Sequence, residues 1–547
     1  MVNKLKVINL TLYIVRIYVV FVIPPGYIHP DEHFQSTEIA ANDILKLKAV
    51  RTWEWNNTYP VRNVLFPYIT AGLPFWLLDL AKVFLDIQLS TYILIFLPRC
   101  VMLIFIHMVE GMAVKMLELG KTRRCTHELF LFVFRTSYIS IVFLNRLFSN
   151  SCETFLFTAF LYLMFKKLKC ATKSIFLDFG IGLILSFGFF VRASFLMFAF
   201  YPLFHVFIVM VVKLPLLKFF TKGLKMAIST MIGFIVGAFV NIMMDSYYFS
   251  DQKMFLLQVT PWNSIKYNTN KESLKEHGIH PRYLHLIVNM FLLYGPMYAA
   301  FLLTVSRLLF SCMKYRNVKT ENISQEIQIF MSGSSIIPVL FLSAIPHQEP
   351  RFLLPVIVPM TFLFVCTINK QFYVSFFSVW IVFNLLGVAW FGFLHQAGVT
   401  PVISILNKQL QYPDGKIHQI IFWKTYMPPN HLFGLSMDRK DVTILDFSGA
   451  PFSDVIIHLN SKDKVNISRD ETFWFVVPNL LGKDLHNRKT FKWKLKAQVF
   501  PHVSAENLPV SEVKEFIQNI SFSTTLDEVL MFLKDIFSLN LYVNSAA

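Results

Sequence analysis

Apolar runs recur along the first 393 residues, separated by short polar connections that hold most of the lysines and arginines. A helix needs about 20 apolar residues to cross a bilayer. Runs near 7–24, 93–113, 129–147, 150–166, 176–191, 193–212, 225–247, 285–309, 328–345, 351–368 and 373–393 predict about eleven transmembrane helices. The pattern is that of a polytopic α-helical membrane protein. The first run follows Lys4 and Lys6 and continues through Pro24, Pro25, Gly26 and Tyr27 into acidic sequence without a small-residue cleavage site, so it reads as an uncleaved span.

One further run, 64–87, breaks the alternation of charged loops. Basic clusters at Lys115, Lys121, Arg123 and Arg124; at Lys166, Lys167, Lys169 and Lys173; at Lys213, Lys218, Lys222 and Lys225; at Lys314, Arg316 and Lys319; and at Lys370 are expected on the cytosolic side. A spanning 64–87 would put Arg123 and Arg124 on the far side. Pro67, Gly72 and Pro74 suit a broken element, and Asp79, Lys82 and Asp86 an interfacial face, so 64–87 is predicted re-entrant or interfacial.

The expected organisation is a transmembrane catalytic domain over 1–393, with polar loops at 25–63 and 248–284, followed by a small α/β domain over 394–547. In that last part Val442–Phe447, Val455–Leu459 and Phe473–Val477 read as strands, and Leu526–Leu539 as an amphipathic helix. Positive-inside topology places this domain and both polar loops on the non-cytosolic side. Glycosylation sequons at Asn56, Asn466 and Asn519 fall there, whereas Asn322 falls in a basic, cytosolic loop.

Composition agrees: 55% of residues are hydrophobic, 16% charged, and mean hydropathy is +0.51. The net charge of +17 suggests nucleic acid at first sight, but the basic residues sit in short inter-span loops and form no recognition motif, so nucleic acid is not an expected partner. The six cysteines include no CxxC pair and point to neither a disulfide framework nor a zinc site.

Polar chemistry gathers on the predicted non-cytosolic side. Asp31 and Glu32 stand between His29 and Gln35 just after the first span. A carboxylate pair there suits a general base working on a lipid-anchored substrate; an acidic helix N-cap after Pro30 is the plainer reading. His347, Gln348, Glu349, Pro350 and Arg351 lie between two spans, where Arg351 and His347 suit a lipid phosphate or Glu349 and Arg351 a loop salt bridge. Arg146 and Glu153 flank a turn containing Asn150, either as site residues or as a buried pair closing a hairpin. Arg192 is a second phosphate candidate, or snorkels to the interface. Trp262 and Asn263 offer a ring and an amide suited to a sugar.

His29-Pro30-Asp31-Glu32, Trp53-Glu54, Arg62, Pro67, the Arg146–Asn150 stretch with Glu153, and His347-Gln348-Glu349-Pro350-Arg351-Phe352 resemble the dolichyl-phosphate-mannose-dependent α-mannosyltransferases, C-type glycosyltransferases of the endoplasmic reticulum. The resemblance covers roughly residues 7–430. Within the family, the wording from His29 to Leu45, with His395-Gln396-Ala397-Gly398 and Lys424–Pro429, looks most like the branch that adds the fourth mannose to the glycosylphosphatidylinositol (GPI) precursor. Leu147 and Ala193-Ser194 depart from the family wording.

The resemblance implies inverting transfer from dolichyl-phosphate mannose to the third mannose of the GPI precursor, giving an α1,2 linkage at a lumenal site in the endoplasmic reticulum membrane. Asp31 is then the base, with Glu32 supporting or sharing that role. Arg351, Arg192, His347 and Arg146 meet the donor phosphate, and His29, Gln35, Asn150, Glu153, Gln348, Glu349, Trp262 and Asn263 meet substrate. No cofactor is implied, and a divalent metal is not expected. The competing readings are a third-mannose GPI transferase, a transferase acting on dolichol-linked oligosaccharide, a lipid scramblase or transporter, and a non-catalytic subunit of the GPI pathway, which has no need for Asp31. A transporter favours charges at the bilayer midplane and internal repeats, neither of which the pattern displays.

Overall fold

The structure, a computed structural model, describes residues 2–170, 174–250, 256–270, 272, 278–313, 323–463, 471–486, 493–520 and 525–545. Lys173, Lys314, Arg316, Lys319 and the sequons at Asn322 and Asn466 lie outside the described residues. The chain forms two compact units, one built from 1–20, 51–70 and 99–386, the other from 21–50, 71–98 and 387–547.

Among the described residues, seven helices are long and apolar enough to cross a membrane: Val2–Val22, Thr91–Leu119, Phe195–Lys213, Leu216–Phe249, Gln325–Ser343, Pro350–Thr367 and Lys370–Leu394. Ile175–Val191, Leu284–Tyr294 and Pro296–Ser311 are shorter apolar helices. Three expected spans differ in detail. The run 285–309 is broken: a wide π-turn leads into Met290–Tyr294, Gly295 takes φ +43°, and a new helix starts at Pro296. A Cβ on Gly295 would lie 2.7 Å from the Phe383 ring, so the break requires glycine. The run 129–147 is a helix over Arg124–Thr136 followed by a π-turn, with Arg135 ion-paired to Glu110 at 2.6 Å. The run 150–166 is a helix over Ser149–Cys170 whose polar first turn is buried.

In the first unit, helices Ile175–Val191 and Leu216–Phe249 pack backbone to backbone. A Cβ on Gly182 would meet the Thr230 carbonyl oxygen at 1.9 Å, and one on Gly233 the Phe179 carbonyl at 2.1 Å. Small residues allow such approach where helices gain little from the hydrophobic effect. That pairing carries Arg192 at the end of one helix and Asp245 near the end of the other.

The segment 64–87 is a short helix Leu65–Pro67, a π-turn Tyr68–Gly72 and a helix Leu73–Phe84. The helical backbone is continuous from Leu65 through Phe84, with the π-turn inside it. At about 1.5 Å per residue it matches the roughly 30 Å hydrocarbon core in length, although it is not one of the seven apolar helices named above. Trp76, Leu77, Val83 and Phe84 on it are exposed.

The second unit contains a five-stranded mixed sheet in the order β2-β1-β3-β5-β4. Its strands are β1 (Ile417–Phe422), β2 (Val442–Asp446), β3 (Glu471–Pro478), β4 (Lys494–Val499) and β5 (Leu539–Ser545). β1 is parallel to β2 and β3, and β5 is antiparallel to β3 and β4. The expected strands at 442–447 and 473–477 are β2 and β3, and the expected amphipathic helix is Leu526–Ile536.

Val455–Leu459, expected as a strand, lies in a helix, Phe452–Asp463. Val455 and Leu459 are buried in the sheet core while Ile457 between them is 65% exposed, which is helical i, i+4 spacing. The two strands that flank this helix run parallel, and a parallel connection needs a crossover, usually helical.

Candidate active site

In the second unit the chain enters a helical turn at Asp31 that opens into a π-turn over His33–Thr37 before resuming as the helix Glu38–Leu45. Such wide turns recur at functional sites. The turn separates the two neighbouring carboxylates. Glu32 is 1% exposed, whereas the Asp31 side chain keeps 25% of its surface open. Asp31 Oδ2 accepts a 2.5 Å hydrogen bond from Gln35 Nε2, and His29 Nδ1 accepts the Asp31 backbone N–H at 3.2 Å while lying 3.3 Å from Oδ1. Gln35 is itself buried, so it orients Asp31.

Beneath this turn Glu38 is fully buried and accepts from the backbone N–H groups of Val50 (3.0 Å) and His431 (3.1 Å); His431 Nδ1 also lies 3.1 Å from it. The His33 and His431 rings are 5.4 Å apart. Tyr27 donates to the Met427 carbonyl at 3.0 Å, and its ring meets Tyr426 edge-on at 5.8 Å. Burial pushes the Tyr27 phenol well above its usual range, and Glu32, Glu38 and Asp31 add to that rise, so it stays protonated as a donor. Glu38 and His431 were not legible as a pair, because 393 residues separate them in sequence.

In the first unit, three of the four expected phosphate contacts surround Phe352. The Arg192 guanidinium lies 5.0 Å from its ring centroid, that of Arg351 5.8 Å, and the His347 ring centroid 5.7 Å. Arg192 is held by Glu153 at 3.3 Å and donates to Ser149 Oγ at 2.9 Å; Ser194 Oγ donates to the other oxygen of Glu153 at 2.7 Å. Arg351 Nε donates to Glu349, whose other oxygen lies 2.8 Å from His347 Nε2. Burial alone would lower the His347 pKa, but the hydrogen bond and charge of Glu349 outweigh it and raise it above the usual imidazole range. Two guanidiniums and an imidazole around one ring, each held by Glu153 or Glu349, make a charge-paired cluster whose planar guanidinium forks are the groups suited to an anion. Phe352 and Ser149 belonged to the motifs but carried no expected role.

The remaining expected residues divide. Asn150 is fully buried, with its amide 3.5 Å from Glu153. Arg146 is 3% exposed, and its backbone N–H closes the turn on Phe143. Gln348 is buried and spends its amide on the chain itself, accepting from the His285 N–H at 2.9 Å and donating to the Ser343 carbonyl at 3.0 Å and the Ile345 carbonyl at 3.1 Å. It thus braces its loop. Trp262 is 66% exposed on helix Thr260–Thr269, where Asn263 donates to the Pro60 carbonyl at 2.9 Å. Among the described residues no three His, Cys, Asp or Glu side chains converge as a metal site requires.

Comparison with known proteins decides the class. The Alg9-like mannosyltransferase family matches residues 7–433. The chain belongs to that family. It is accordingly a polytopic membrane glycosyltransferase. Among curated relatives, human GPI alpha-1,2-mannosyltransferase 4 is 30% identical over 88% of this chain and 86% of its own length. GPI mannosyltransferase 4 of Saccharomyces cerevisiae is 30% identical over 75% of this chain and 73% of its own, and that of Drosophila melanogaster 26% identical over 90% and 85%. In fold the chain is similar to the crystal structure of ArnT from Cupriavidus metallidurans bound to undecaprenyl phosphate, with TM-score 0.51, 11% identity, and coverage of 91% of this chain and 96% of that one. At that identity the likeness concerns the fold alone.

Proposed function

We propose that this enzyme adds the fourth mannose to the GPI precursor, taking mannose from dolichyl-phosphate mannose and building an α1,2 linkage to the third mannose at the lumenal face of the endoplasmic reticulum membrane. Family membership, with relatives named as GPI mannosyltransferases across animals and fungi, supports the reaction class and the acceptor. The observation that carries the mechanism is the partly open Asp31 carboxylate, aimed by Gln35 and neighboured by a fully buried Glu32.

In this reading Asp31 takes the proton from the acceptor 2-hydroxyl as its oxygen bonds to the mannose anomeric carbon. The bond from that carbon to the phosphate oxygen breaks on the opposite face, so the configuration inverts. The departing dolichyl phosphate carries the electron pair. Arg351, Arg192 and His347 offer the charge that neutralises it. Glu32 supports the turn.

Radiolabelled transfer in microsomes tests the acceptor. A product from a three-mannose GPI precursor, with none from a two-mannose precursor or a dolichol-linked oligosaccharide, is expected. Preference for either of the latter moves the enzyme to a sibling branch.

A further inference from the structure

A cavity of about 460 Å³ opens in the second unit, beside the motif that holds Asp31. It is lined by Pro30, by Lys424, Thr425 and Tyr426, and by Asp446 and Glu506. Its volume falls in the range of small-molecule sites, roughly 300–1,000 Å³. Three features indicate a ligand. Thr425 is 5% exposed, and its hydroxyl oxygen has no hydrogen-bond partner among the described residues. A buried hydroxyl left unpaired costs stability unless something else pairs with it. Lys424 and Ser448, facing each other through a 2.8 Å backbone hydrogen bond at the cavity wall, both take positive φ (+58° and +32°) although neither is glycine. Backbone held in this region tends to cluster at ligand sites. Finally, the Tyr426 ring lies 6.2 Å from His29 and 5.4 Å from His395, so the cavity wall touches the Asp31 loop directly.

We propose that this cavity binds a neutral hexose of the acceptor glycan, one that precedes the residue receiving the new mannose. The inference rests on the transfer reaction proposed above and assigns an acceptor subsite to it. The lining chemistry selects the ligand. Two carboxylates against one ammonium repel a phosphate, which argues against the anionic donor. Carboxylates, a free hydroxyl and a tyrosine ring are the groups that hold a sugar's hydroxyls and its apolar face. Pro30 lines the cavity and immediately precedes Asp31, so a glycan seated there leads its next ring toward the base.

The test compares wild type with Asp446→Asn, Glu506→Gln, their double variant and Thr425→Val, all full-length in detergent micelles. Dolichyl-phosphate mannose and a three-mannose GPI acceptor are varied in turn. Each single change is expected to raise the acceptor KM about fivefold to tenfold, and the double variant about fiftyfold, as lost hydrogen bonds to a ligand do. The donor KM stays within about twofold. An unchanged acceptor KM in the double variant overturns the proposal, and so does a rise in donor KM alone. Asp446 and Glu506 are exposed, so their variants carry the test if Thr425→Val folds poorly. If wild type transfers mannose to no acceptor, the transfer reading fails by itself. Saturation-transfer NMR with a soluble synthetic trimannoside then decides the cavity. A sugar signal seen with wild type and absent with the double variant upholds it, and signals of equal strength with both overturn it.

Discussion

Asp31 and Asp245 are both aspartates near the edge of apolar helices, and their surroundings differ completely. Asp245 is fully buried and saturated: it accepts from Asn63 Nδ2 at 3.0 Å, from the Val64 N–H at 2.9 Å and from Thr260 Oγ1 at 2.6 Å. It ties three segments of the first unit together. Asp31 is aimed by the Gln35 amide with His29 beside it, and a quarter of its side chain stays open. A carboxylate that must take a proton needs an approach and a fixed direction; one that must hold a fold needs neither opening nor freedom. In the sequence Asp31 follows an apolar run inside a polar motif, whereas Asp245 lies within the run 225–247; the partners that close Asp245 off are visible only in the structure.

The largest consequence concerns Asp31. Asp31→Asn keeps the shape and the Gln35 neighbour but cannot accept the proton, so transfer is expected to fall about a thousandfold at unchanged expression, as loss of a general base does. Glu32→Gln, at a buried position, should leave most of the rate; a larger loss there than at Asp31 would exchange their roles. Next comes the cluster around Phe352. Arg351→Gln is expected to lower kcat about a hundredfold, and Arg351→Lys to recover only part of it, because an ammonium lacks the planar fork. A full recovery by lysine would reduce Arg351 to a point charge. Gln35→Leu removes the donor that aims Asp31 and should cost about tenfold in kcat with little change in donor KM.

The smallest effect is a pH dependence of stability. Glu349 raises the His347 pKa, so the charged imidazole stabilises the fold below the unfolded-state pKa, and that contribution disappears as pH rises through the folded-state value. His347→Gln should therefore lower Tm more at about pH 5.5 than at about pH 8.5. Equal losses at both would remove the Glu349 pair from the account.

Much of this was legible in the sequence because membranes impose long apolar periods, and because the two motifs are compact. His29–Gln35 form one turn, and His347–Phe352 one loop-to-helix junction. The strands 417–422, 494–499 and 539–545 were not legible, since their apolar content is short and their pairing lies far along the chain. The bracing of the loop by Gln348 was not legible for a related reason: an amide in a polar motif reads as a ligand group, and the backbone groups it bonds are visible only in the structure. Glu38 with His431, and Phe352 as a shared platform, depend on three-dimensional neighbours that no local pattern reveals.

Asp31 is the open, reactive carboxylate and Asp245 the closed, structural one. The most direct measurement of that difference sets Asp31→Asn beside Asp245→Asn in detergent micelles, reading Tm and mannose transfer per folded molecule on the same samples. Asp31→Asn is expected to lower transfer about a thousandfold with Tm unchanged. Asp245→Asn should lose about 2–3 kcal/mol of stability, seen as a fall in Tm of several degrees, while its folded fraction still transfers. Transfer within about tenfold of wild type in Asp31→Asn, or lost in Asp245→Asn at full folding, would contradict this assignment.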